Sequence, residues 1–450
     1  MKSNSLTPIF DFLKGYAKGD SLRFHMPGHK GIGVLGVEEL DLTEINGADS
    51  LYLANGIIAK SEENASEIFG CKTYYSTEGS SLAIRAMLYM TLMYAKKHGK
   101  EPLILAGRNA HKSFLSAVAL LDFEVEWLYP ASCQTYLSCL ITAKEVEDRL
   151  KNASNLPVAV YLTTPDYLGN IIDVQAISRV CKKYGVLLLI DNAHGAYLKF
   201  LSPSSFPVEL GADACCSSAH KTLPVLTGGA YLHLSKEFEN SCQACAKTAL
   251  SLFGSTSPSY LILASLDAFN KEAKTGYKSQ INEFIPFVED AKIALLAKGF
   301  TLIGNEPMKI VIRTKPYGYT GVEIAEILQN KNIVAEFCDN DYIVFMLTPY
   351  NGKDGVERLV KAMLEISRRT PISIEPPSLF RPKRAVDIKT AVTSLQEVVK
   401  TEDALGRILG FENLFCPPAI PIVCSGEIID ENAIDVLKYY GIERCTVLIK

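Results

Sequence analysis

No apolar run in the 450-residue sequence reaches transmembrane length, and the first residues lack the apolar core of a secretory signal peptide. The 46 basic and 50 acidic residues give a net charge of −4. This charge offers no electrostatic footprint for nucleic acid or an anionic membrane. The twelve cysteines show no disulfide framework, so we expect reduced thiols in a cytoplasmic protein. Neither a membrane nor a nucleic acid is expected as a partner.

Metal and nucleotide chemistry lack their sequence signatures as well. Asp191-Asn192-Ala193-His194 resembles a helicase box, but no Gly-Lys pair is followed by Ser or Thr, which excludes the nucleotide-binding loop of such enzymes. Cys242 and Cys245 form a lone CxxC without a second pair at ligand spacing. His25 and His29 have helical spacing, but a Pro-Gly pair between them disfavours a helix. The sequence therefore predicts no metal site.

Patterns typical of strands and helices alternate between about residues 61 and 252. The alternation predicts right-handed βαβ units, and hence an α/β fold with a mainly parallel sheet covered on both faces. A smaller α/β unit is predicted near residues 308–366, followed by a Pro-rich stretch and a final domain. We expect four segments: an N-terminal arm near the active site (1–65), a large cofactor-binding domain (66–300), a small α/β domain (301–370) and a C-terminal α+β domain (371–450).

Two segments carry residues that serve one kind of chemistry. The apolar run Val186–Ile190 ends at Asp191, which predicts a carboxylate at the carboxyl edge of a buried parallel strand. Further along the chain, Ser217–Thr222 offers Lys221 in a small, hydroxyl-rich setting. Pyridoxal 5'-phosphate (PLP) needs an amine with which to condense and a carboxylate that keeps its ring nitrogen protonated. The combination of Lys221 and Asp191 therefore predicts a PLP enzyme.

The segment Thr77–Ser81 predicts a phosphate-binding turn. Gly79, Ser80 and Ser81 lie between a short strand and a long apolar helix, where backbone N–H groups and the helix dipole face an anion. An ordinary serine helix cap is the alternative interpretation. Ligands of parallel sheets bind beyond the carboxyl ends of the strands. Further polar residues are predicted at that edge: His111, Tyr167 and residues 191–194.

Six motifs are spread in order over most of the chain: His25-Met26-Pro27-Gly28-His29-Lys30; Thr43-Glu44-Ile45 with Gly47 and Asp49; His111-Lys112-Ser113; Asp191-x-Ala193-His194-Gly195; Ser218-x-His220-Lys221; and Thr256-Ser257-Pro258-Ser259-Tyr260. Together they resemble the Orn/Lys/Arg decarboxylase family of fold-type-I PLP enzymes, in a short form without the N-terminal wing domain. The chain departs from the family at Asn192, where glutamate is common, and at Gly228, where glutamine is common. It also has Cys-Ser-Gly before Glu427 in place of the usual Pro-Gly.

The resemblance implies decarboxylation of arginine, lysine or ornithine to CO₂ and the corresponding amine, a polyamine precursor. It implies that Lys221 is the Schiff-base lysine, that Asp191 pairs with the pyridine nitrogen, and that His111 stacks on the ring with His194 beside or beneath it. The family works as dimers or larger homo-oligomers with shared active sites. The phosphate would then be held by residues of two subunits: Gly79, Ser80, Ser81, Ser218 and His220 of one, with Thr256 or Ser257 of its neighbour.

The distal cation of a basic substrate needs an acidic partner, for which Glu427 is the candidate and Asp49 the next. A solvent-exposed loop acid is the alternative interpretation of Glu427. Other fold-type-I enzymes, an aminotransferase or a C–S lyase, would share Lys221 and Asp191. An aminotransferase would clamp the substrate carboxylate with an arginine, such as Arg313. A non-catalytic relative that binds PLP and regulates an active partner is a further alternative.

Overall fold

The computed structural model describes residues 5–131, 135–242, 245–411 and 420–449. The α-helices in these ranges are α1 (Pro8–Ala17), α2 (Ile57–Phe69), α3 (Gly79–Lys97), α4 (Lys112–Leu121), α5 (Ala143–Lys151), α6 (Val174–Tyr184), α7 (Ala219–Thr222), α8 (Lys236–Ser241), α9 (Ala246–Ser251), α10 (Tyr260–Thr275), α11 (Tyr277–Lys298), α12 (Gly321–Gln329), α13 (Gly352–Leu364), α14 (Ile388–Thr393) and α15 (Glu431–Tyr439). The strands are β1 (Lys72–Ser76), β2 (Leu103–Gly107), β3 (Glu124–Leu128), β4 (Ala159–Thr163), β5 (Leu187–Asp191), β6 (Ala214–Ser217), β7 (Ala230–Leu234), β8 (Thr301–Ile303), β9 (Lys309–Arg313), β10 (Phe337–Cys338), β11 (Tyr342–Met346), β12 (Gln396–Lys400) and β13 (Arg444–Leu448).

The chain divides into two units that alternate along the sequence. The first contains Met1–Glu101, Pro157–Val160 and Val174–Gln280, and the second contains Pro102–Leu156, Tyr161–Asp173 and Ile281–Lys450. The four segments expected from the sequence stay a prediction. Of the helices that the structure describes, none is long and apolar enough to span a membrane.

The main sheet has seven strands in the order β1-β7-β6-β5-β4-β2-β3. The pairs β2–β3 and β5–β6 are parallel, whereas β7 is antiparallel to both of its neighbours, β1 and β6. Every residue of β5 and of β7 is buried, as expected for strands covered on both faces. The predicted α/β fold with a mainly parallel sheet is therefore confirmed.

The reversed direction of β7 decides which loops of the first unit meet. Strands β1, β5 and β6 run in one direction, so their last residues, Ser76, Asp191 and Ser217, lie at one edge of the sheet. Strand β7 runs the opposite way and therefore begins at this edge, directly after Gly228 and Gly229. The residues that follow β1, β5 and β6 and the residues that precede β7 therefore lie at the same edge of the sheet.

Gly228 makes a close backbone approach at this edge. Its φ is +99°, and a Cβ atom there would lie 2.9 Å from the carbonyl oxygen of Thr77 and 3.0 Å from Cδ1 of Ile262. Its own carbonyl oxygen accepts a hydrogen bond of 2.7 Å from the N–H of Gly79, whose φ is +69°. A longer side chain at Gly228 would clash with the backbone that begins α3. Glycine therefore fits this position where the family often has glutamine.

Most helix boundaries follow the sequence signals. Helix α2 ends at Gly70, which has the left-handed conformation of a helix C-terminus (φ 73°). The segment Gly254–Tyr260 predicts the start of a long helix with Pro258 in its first turn. Helix α10 begins later, because Ser259 is its N-cap and accepts a hydrogen bond from the N–H of Ile262. The prediction that Pro258 lies in the first turn is therefore wrong, and Pro258 precedes the cap.

Two smaller sheets lie in the second unit, and both are antiparallel. One has the order β10-β11-β9-β8, and the other pairs β12 with β13. The smaller α/β unit predicted near residues 308–366 contains β9 and β11, which alternate with α12 and α13. Strands β8 and β10 are only three and two residues long, too short for a recognisable hydrophobic pattern.

A buried histidine lies in the aromatic core of the first unit. His233 on β7 is fully buried, its Nδ1 lies 3.0 Å from Oγ1 of Thr73, and its ring centroid is 4.6 Å from that of Phe69 and 5.0 Å from that of Phe206. Burial, with a smaller contribution from the charge of Lys199, lowers the pKa of His233 to about 3. The folded protein therefore keeps this ring neutral throughout the physiological range.

Acid should destabilise the fold through His233. The unfolded chain binds a proton at this histidine below about pH 6.5 and the folded chain only near pH 3, so stability falls as the pH drops through this window. Between pH 7 and pH 4.5 the loss from this residue is about 2–3 kcal/mol. Urea denaturation of His233→Gln should show a smaller difference between the two pH values than the wild type. His98→Gln, at an exposed histidine, is the matched control, and an unchanged difference in His233→Gln would contradict this assignment.

Candidate active site

Lys221 and His194 meet at the shared edge of the sheet. Lys221 lies in the short helix α7, directly after β6, and His194 lies just after β5. Lys221 Nζ is 3.0 Å from Nε2 of His194. His194 is 8% exposed, whereas the lysine itself is exposed. The imidazole can accept a proton from the lysine or return one to it. The pair can therefore supply the proton transfers that an amine needs when it forms and breaks covalent bonds.

Asp191 is the buried acid of this edge. It is the last residue of β5 and only 2% exposed, because the strand before it is an uninterrupted Leu-Leu-Leu-Ile run that packs inside the sheet. One carboxylate oxygen, Oδ1, accepts a hydrogen bond of 3.1 Å from the N–H of Ala193 and one of 3.4 Å from Sγ of Cys216. A hydrogen-bonded carboxylate in this position can hold a cationic ring nitrogen.

Hydroxyl groups from two strand ends meet beside the first turn of α3. Ser218 donates a hydrogen bond of 2.9 Å to Oγ of Ser80, and both residues follow strands that end at this edge. Helix α3 has 19 residues, so its N-terminus carries the positive end of a long helix dipole. Ser81, in the same turn, is half-buried. Hydroxyls next to such a helix start can bind a phosphate group.

His220 is fixed at the same place by the loop before β7. Its Nδ1 lies 2.9 Å from the carbonyl oxygen of Gly229, and because a carbonyl only accepts, Nδ1 carries the hydrogen. A Cβ at Gly79 would lie 4.0 Å from Cε1 of His220, so the imidazole edge faces the glycine of the turn. The structure thus brings seven predicted site residues to one edge of the first unit: Gly79, Ser80, Asp191, His194, Ser218, His220 and Lys221.

The other predicted cofactor residues have different local settings. His111, in the second unit, is the exposed N-cap of α4, and its Nδ1 accepts a hydrogen bond of 3.2 Å from the N–H of Ser113. Thr256 and Ser257, in the first unit, are exposed in the loop before α10. In the second unit Arg313, the residue considered for an aminotransferase clamp, forms an ion pair with Glu375.

Glu427 is engaged in a buried ion pair that the sequence did not indicate. Within the second unit, its two carboxylate oxygens accept hydrogen bonds of 2.8 and 2.6 Å from Nη1 and Nη2 of Arg108. The side chains are 1% exposed for Arg108 and 5% exposed for Glu427. The guanidinium also lies over the rings of Trp127 and Tyr129, at 5.0 and 5.5 Å from their centroids. The arginine neutralises this acid, so we do not retain Glu427 as the partner of a substrate cation.

The carboxylate of Asp49 also binds groups of the protein itself. Its φ is +69°, and its carboxylate accepts hydrogen bonds from five backbone N–H groups, those of Ser50, Asn55, Gly56, Ile58 and Ala59. Burial raises the pKa of Asp49, but these N–H groups lower it by more, so it lies below its ordinary value. This carboxylate closes the loop that leads into α2, and we do not retain it as a substrate ligand.

The described ranges contain no group of three or more His, Cys, Asp and Glu side chains arranged to hold a metal ion. The two histidines with helical spacing, His25 and His29, each lie next to a different side chain. His25 Nε2 lies 2.8 Å from the hydroxyl of Tyr16, and His29 Nε2 lies 3.2 Å from a carboxylate oxygen of Asp41.

The fold and the site define a class of protein. A mainly parallel sheet that carries a lysine, a buried aspartate and a helix start suited to a phosphate at one edge is typical of fold-type-I PLP enzymes. The chain superimposes on a lysine decarboxylase from Francisella novicida with a TM-score of 0.81 and 18% identity, covering 99% of this chain and 82% of that chain. It matches the constitutive lysine decarboxylase of Escherichia coli with a TM-score of 0.75 and 18% identity, covering 98% and 82% of the two chains. At this identity the likeness shows the fold.

Residues 7–302 match the family model of the Orn/Lys/Arg decarboxylase major domain, and the chain belongs to this family. An arginine decarboxylase of Halalkalibacterium halodurans is 29% identical over 97% of this chain and 94% of its own length. An arginine decarboxylase of Bacillus subtilis is 28% identical over 96% and 93%. The chain is thus a decarboxylase, of a family that depends on PLP. The predicted family and cofactor are confirmed.

The donor set at the sheet edge fits PLP. Lys221 offers a primary amine next to a histidine for covalent attachment, and Asp191 offers a buried carboxylate for a ring nitrogen. Ser80 and Ser218 place two hydroxyls at a helix start, where an anion is favourable. Each end of the cofactor therefore has residues of the matching chemistry within one unit.

Proposed function

We propose that this chain decarboxylates a basic amino acid, with arginine as its substrate and PLP held by the residues of the sheet edge. The observation that carries the proposal is the 3.0 Å contact between Lys221 Nζ and His194 Nε2, at the same edge as the buried carboxylate of Asp191. Arginine is favoured over lysine and ornithine because relatives named arginine decarboxylase match nearly the whole chain at 28–29% identity. A constitutive lysine decarboxylase is only 20% identical.

Lys221 would hold the cofactor covalently through Nζ and release it to the amine of the substrate. When bound, PLP supplies an electron-withdrawing ring that accepts the electrons left on the α-carbon as CO₂ departs. Asp191 keeps the ring nitrogen cationic, because a buried carboxylate beside it favours the protonated form. The two residues therefore have different roles. Lys221 exchanges places with the substrate amine on the cofactor, and Asp191 maintains the positive charge of the ring nitrogen on which the bond cleavage depends.

His194 would move protons at the lysine. Exchange of the substrate amine for the lysine requires Nζ to lose and regain protons, and Nε2 of His194 is within hydrogen-bond distance of that atom. His111 is proposed to stack on the cofactor ring. A neutral imidazole in that role packs against the ring without adding charge, so it orients the cofactor and excludes water from one face.

The phosphate is assigned to Ser80, Ser81, Ser218 and His220, beside Gly79. Replacing Ser80 or Ser218 by alanine should weaken PLP binding by roughly tenfold, because a hydrogen bond to a charged group is lost. Affinity would be measured from the visible absorbance as PLP is titrated into the apoprotein. Ser235→Ala is the matched control, since Ser235 caps α8 after β7, at the opposite end of the sheet. Equal affinity in Ser80→Ala, Ser218→Ala and Ser235→Ala would contradict the phosphate assignment.

A homodimer or larger homo-oligomer with shared active sites is proposed for the working assembly, in the cytoplasm, where the amine product would serve as a polyamine precursor. The exposed hydroxyls of Thr256 and Ser257 support a contribution to the phosphate site of a neighbouring subunit. Light scattering of the purified protein would measure the mass of the assembly, and a monomer that retains full activity would contradict this part of the proposal.

The proposed reaction is tested by incubating the PLP-loaded protein with arginine, lysine and ornithine, each labelled at the carboxyl carbon. We expect labelled CO₂ and the matching amine in equal amounts, fastest from arginine. Faster release from lysine or ornithine would keep the reaction and replace the substrate. A keto acid without CO₂ would contradict the proposed reaction.

A further inference from the structure

A cysteine on the neighbouring strand lies next to the buried acid of the site. Cys216 on β6 is registered directly opposite Asp191 on β5, in a parallel pair. Their side chains therefore lie on the same face of the sheet. The distance from Sγ to Oδ1 is 3.4 Å, within the range of a hydrogen bond from sulfur, and both residues are buried, Cys216 completely.

The thiol is in its neutral form, which can donate. Burial raises the pKa of Cys216 well above its ordinary value, and the negative charge of Asp191 raises it further. A protonated thiol has a hydrogen to give, and a carboxylate only accepts. The hydrogen bond therefore runs from Cys216 to Asp191.

Two donors from different elements meet on one carboxylate oxygen. Oδ1 of Asp191 accepts the N–H of Ala193, at 3.1 Å, and the S–H of Cys216, at 3.4 Å. The N–H of Ala193 holds Oδ1 from within the same segment of the chain. The thiol of Cys216 holds the same oxygen from the neighbouring strand. Together they limit rotation of the carboxylate about its Cβ–Cγ bond.

The next pair along the two strands repeats the arrangement on the opposite face. Nδ2 of Asn192 donates a hydrogen bond of 3.0 Å to Oγ of Ser217, and the N–H of Asn192 donates 2.9 Å to the carbonyl oxygen of Cys216. The ends of β5 and β6 are thus joined by side-chain hydrogen bonds on both faces. These hydrogen bonds hold together the strand ends from which the carboxylate of Asp191 extends.

We propose that Cys216 is a positioning residue for Asp191: its thiol fixes the carboxylate in the orientation that meets the ring nitrogen of PLP. The inference rests on the proposed function, in which Asp191 pairs with that nitrogen. Cys216 does not touch the cofactor in this account, and its effect passes entirely through the aspartate.

The test compares two ligands that differ only at the ring nitrogen. The full-length apoprotein is titrated with PLP and with its 1-deaza analogue, in which a C–H group replaces the nitrogen. The wild type should bind PLP more tightly than the analogue, because only PLP pairs with Asp191. Cys216→Ala should reduce this preference by roughly two- to tenfold with little change in affinity for the analogue. Cys216→Ser keeps a donor and should restore the preference.

Cys215→Ala is the matched control. Cys215 is equally buried on the same strand, but it is registered opposite Ile190 and points to the other face. This variant should leave the preference for PLP unchanged. Should Cys216→Ala fail to fold, Cys216→Val fills the space without a donor and is expected to show the same loss.

The possible failures are distinguishable. Equal weakening of PLP and of the analogue in Cys216→Ala would show a purely structural role and overturn the inference. A wild type that prefers PLP, together with a Cys216→Ala variant of identical preference, would overturn the inference and leave the proposed function intact. If the wild type bound PLP and the analogue equally well, the result would contradict the pairing of Asp191 with the ring nitrogen. The inference about Cys216 would then fail as well.

Discussion

Replacing Lys221 by alanine should reduce CO₂ release from arginine to below roughly one thousandth of the wild-type rate, as expected when a residue that forms the covalent link is removed. The structure places this amine 3.0 Å from Nε2 of His194, at the same sheet edge as Asp191. Its loss leaves the residues proposed to bind the phosphate in place, so we expect the cofactor to bind still, without a covalent bond. The measurement is labelled CO₂ released per active site, with protein saturated with PLP.

The controls separate loss of chemistry from loss of fold. Lys221→Arg keeps the charge but cannot form the bond, so it should be as inactive as the alanine variant. Lys247→Ala changes a lysine of the same unit that pairs with Glu62, and it should retain activity wherever the protein stays folded. Activity of Lys221→Ala above about a tenth of wild type would refute the assignment of this lysine.

Replacing Glu427 by alanine should lower the free energy of unfolding by about 3–5 kcal/mol, the cost of leaving a buried arginine without its counter-ion. Arg108 is 1% exposed and meets Glu427 through two hydrogen bonds, while the N–H of Cys424 donates a third to the same carboxylate. The variant leaves both a buried charge and an unsatisfied N–H group. Urea denaturation at neutral pH would measure the loss.

Two further variants test the cause of this loss. Arg108→Met combined with Glu427→Leu removes both charges and should recover most of the stability, because a buried ion pair can be replaced by apolar side chains of similar volume. Glu124→Ala removes the exposed partner of Arg384 and should cost no more than about 1 kcal/mol. A loss in Glu427→Ala as small as in Glu124→Ala would contradict the structural role of the pair.

The sequence predicts that the proposed site residues share one edge of the sheet, because these residues follow local signals. Asp191 ends an apolar run, Lys221 follows a strand in a motif of small residues, and Ser80 lies where a strand gives way to a long helix. Parallel strands bring their carboxyl ends together whatever the loops between them. Local patterns were therefore sufficient to predict that these residues share one edge.

The orientation of β7 and the loop role of Asp49 depend on more than local pattern. The connection between β6 and β7 covers residues 218–229 and contains, as its helix, only the four-residue α7, whereas a parallel connection usually contains a full crossover helix. Asp49 has the left-handed backbone conformation, and its carboxylate serves N–H groups as far as ten residues along the chain. Neither feature has a strong signal in a window of a few residues.

The Arg108–Glu427 pair is the clearest limit of sequence reasoning. The two residues are 319 positions apart, and neither lies in a periodic pattern that points to the other. The one available signal was Arg108 itself, an arginine directly after the apolar strand β2, because a buried arginine there requires an acid from elsewhere in the fold. Following that signal would have weakened the assignment of Glu427 to a substrate.

Lys221 is proposed to carry the cofactor at this sheet edge. This proposal is tested most directly by reducing the PLP-loaded protein with borohydride, digesting it, and locating the attached cofactor by mass spectrometry. We expect the mass of a reduced pyridoxyl phosphate group on the peptide that contains Lys221, and no such mass in the Lys221→Ala protein. Attachment to a different lysine, or no attachment in a protein that releases CO₂, would contradict the proposal.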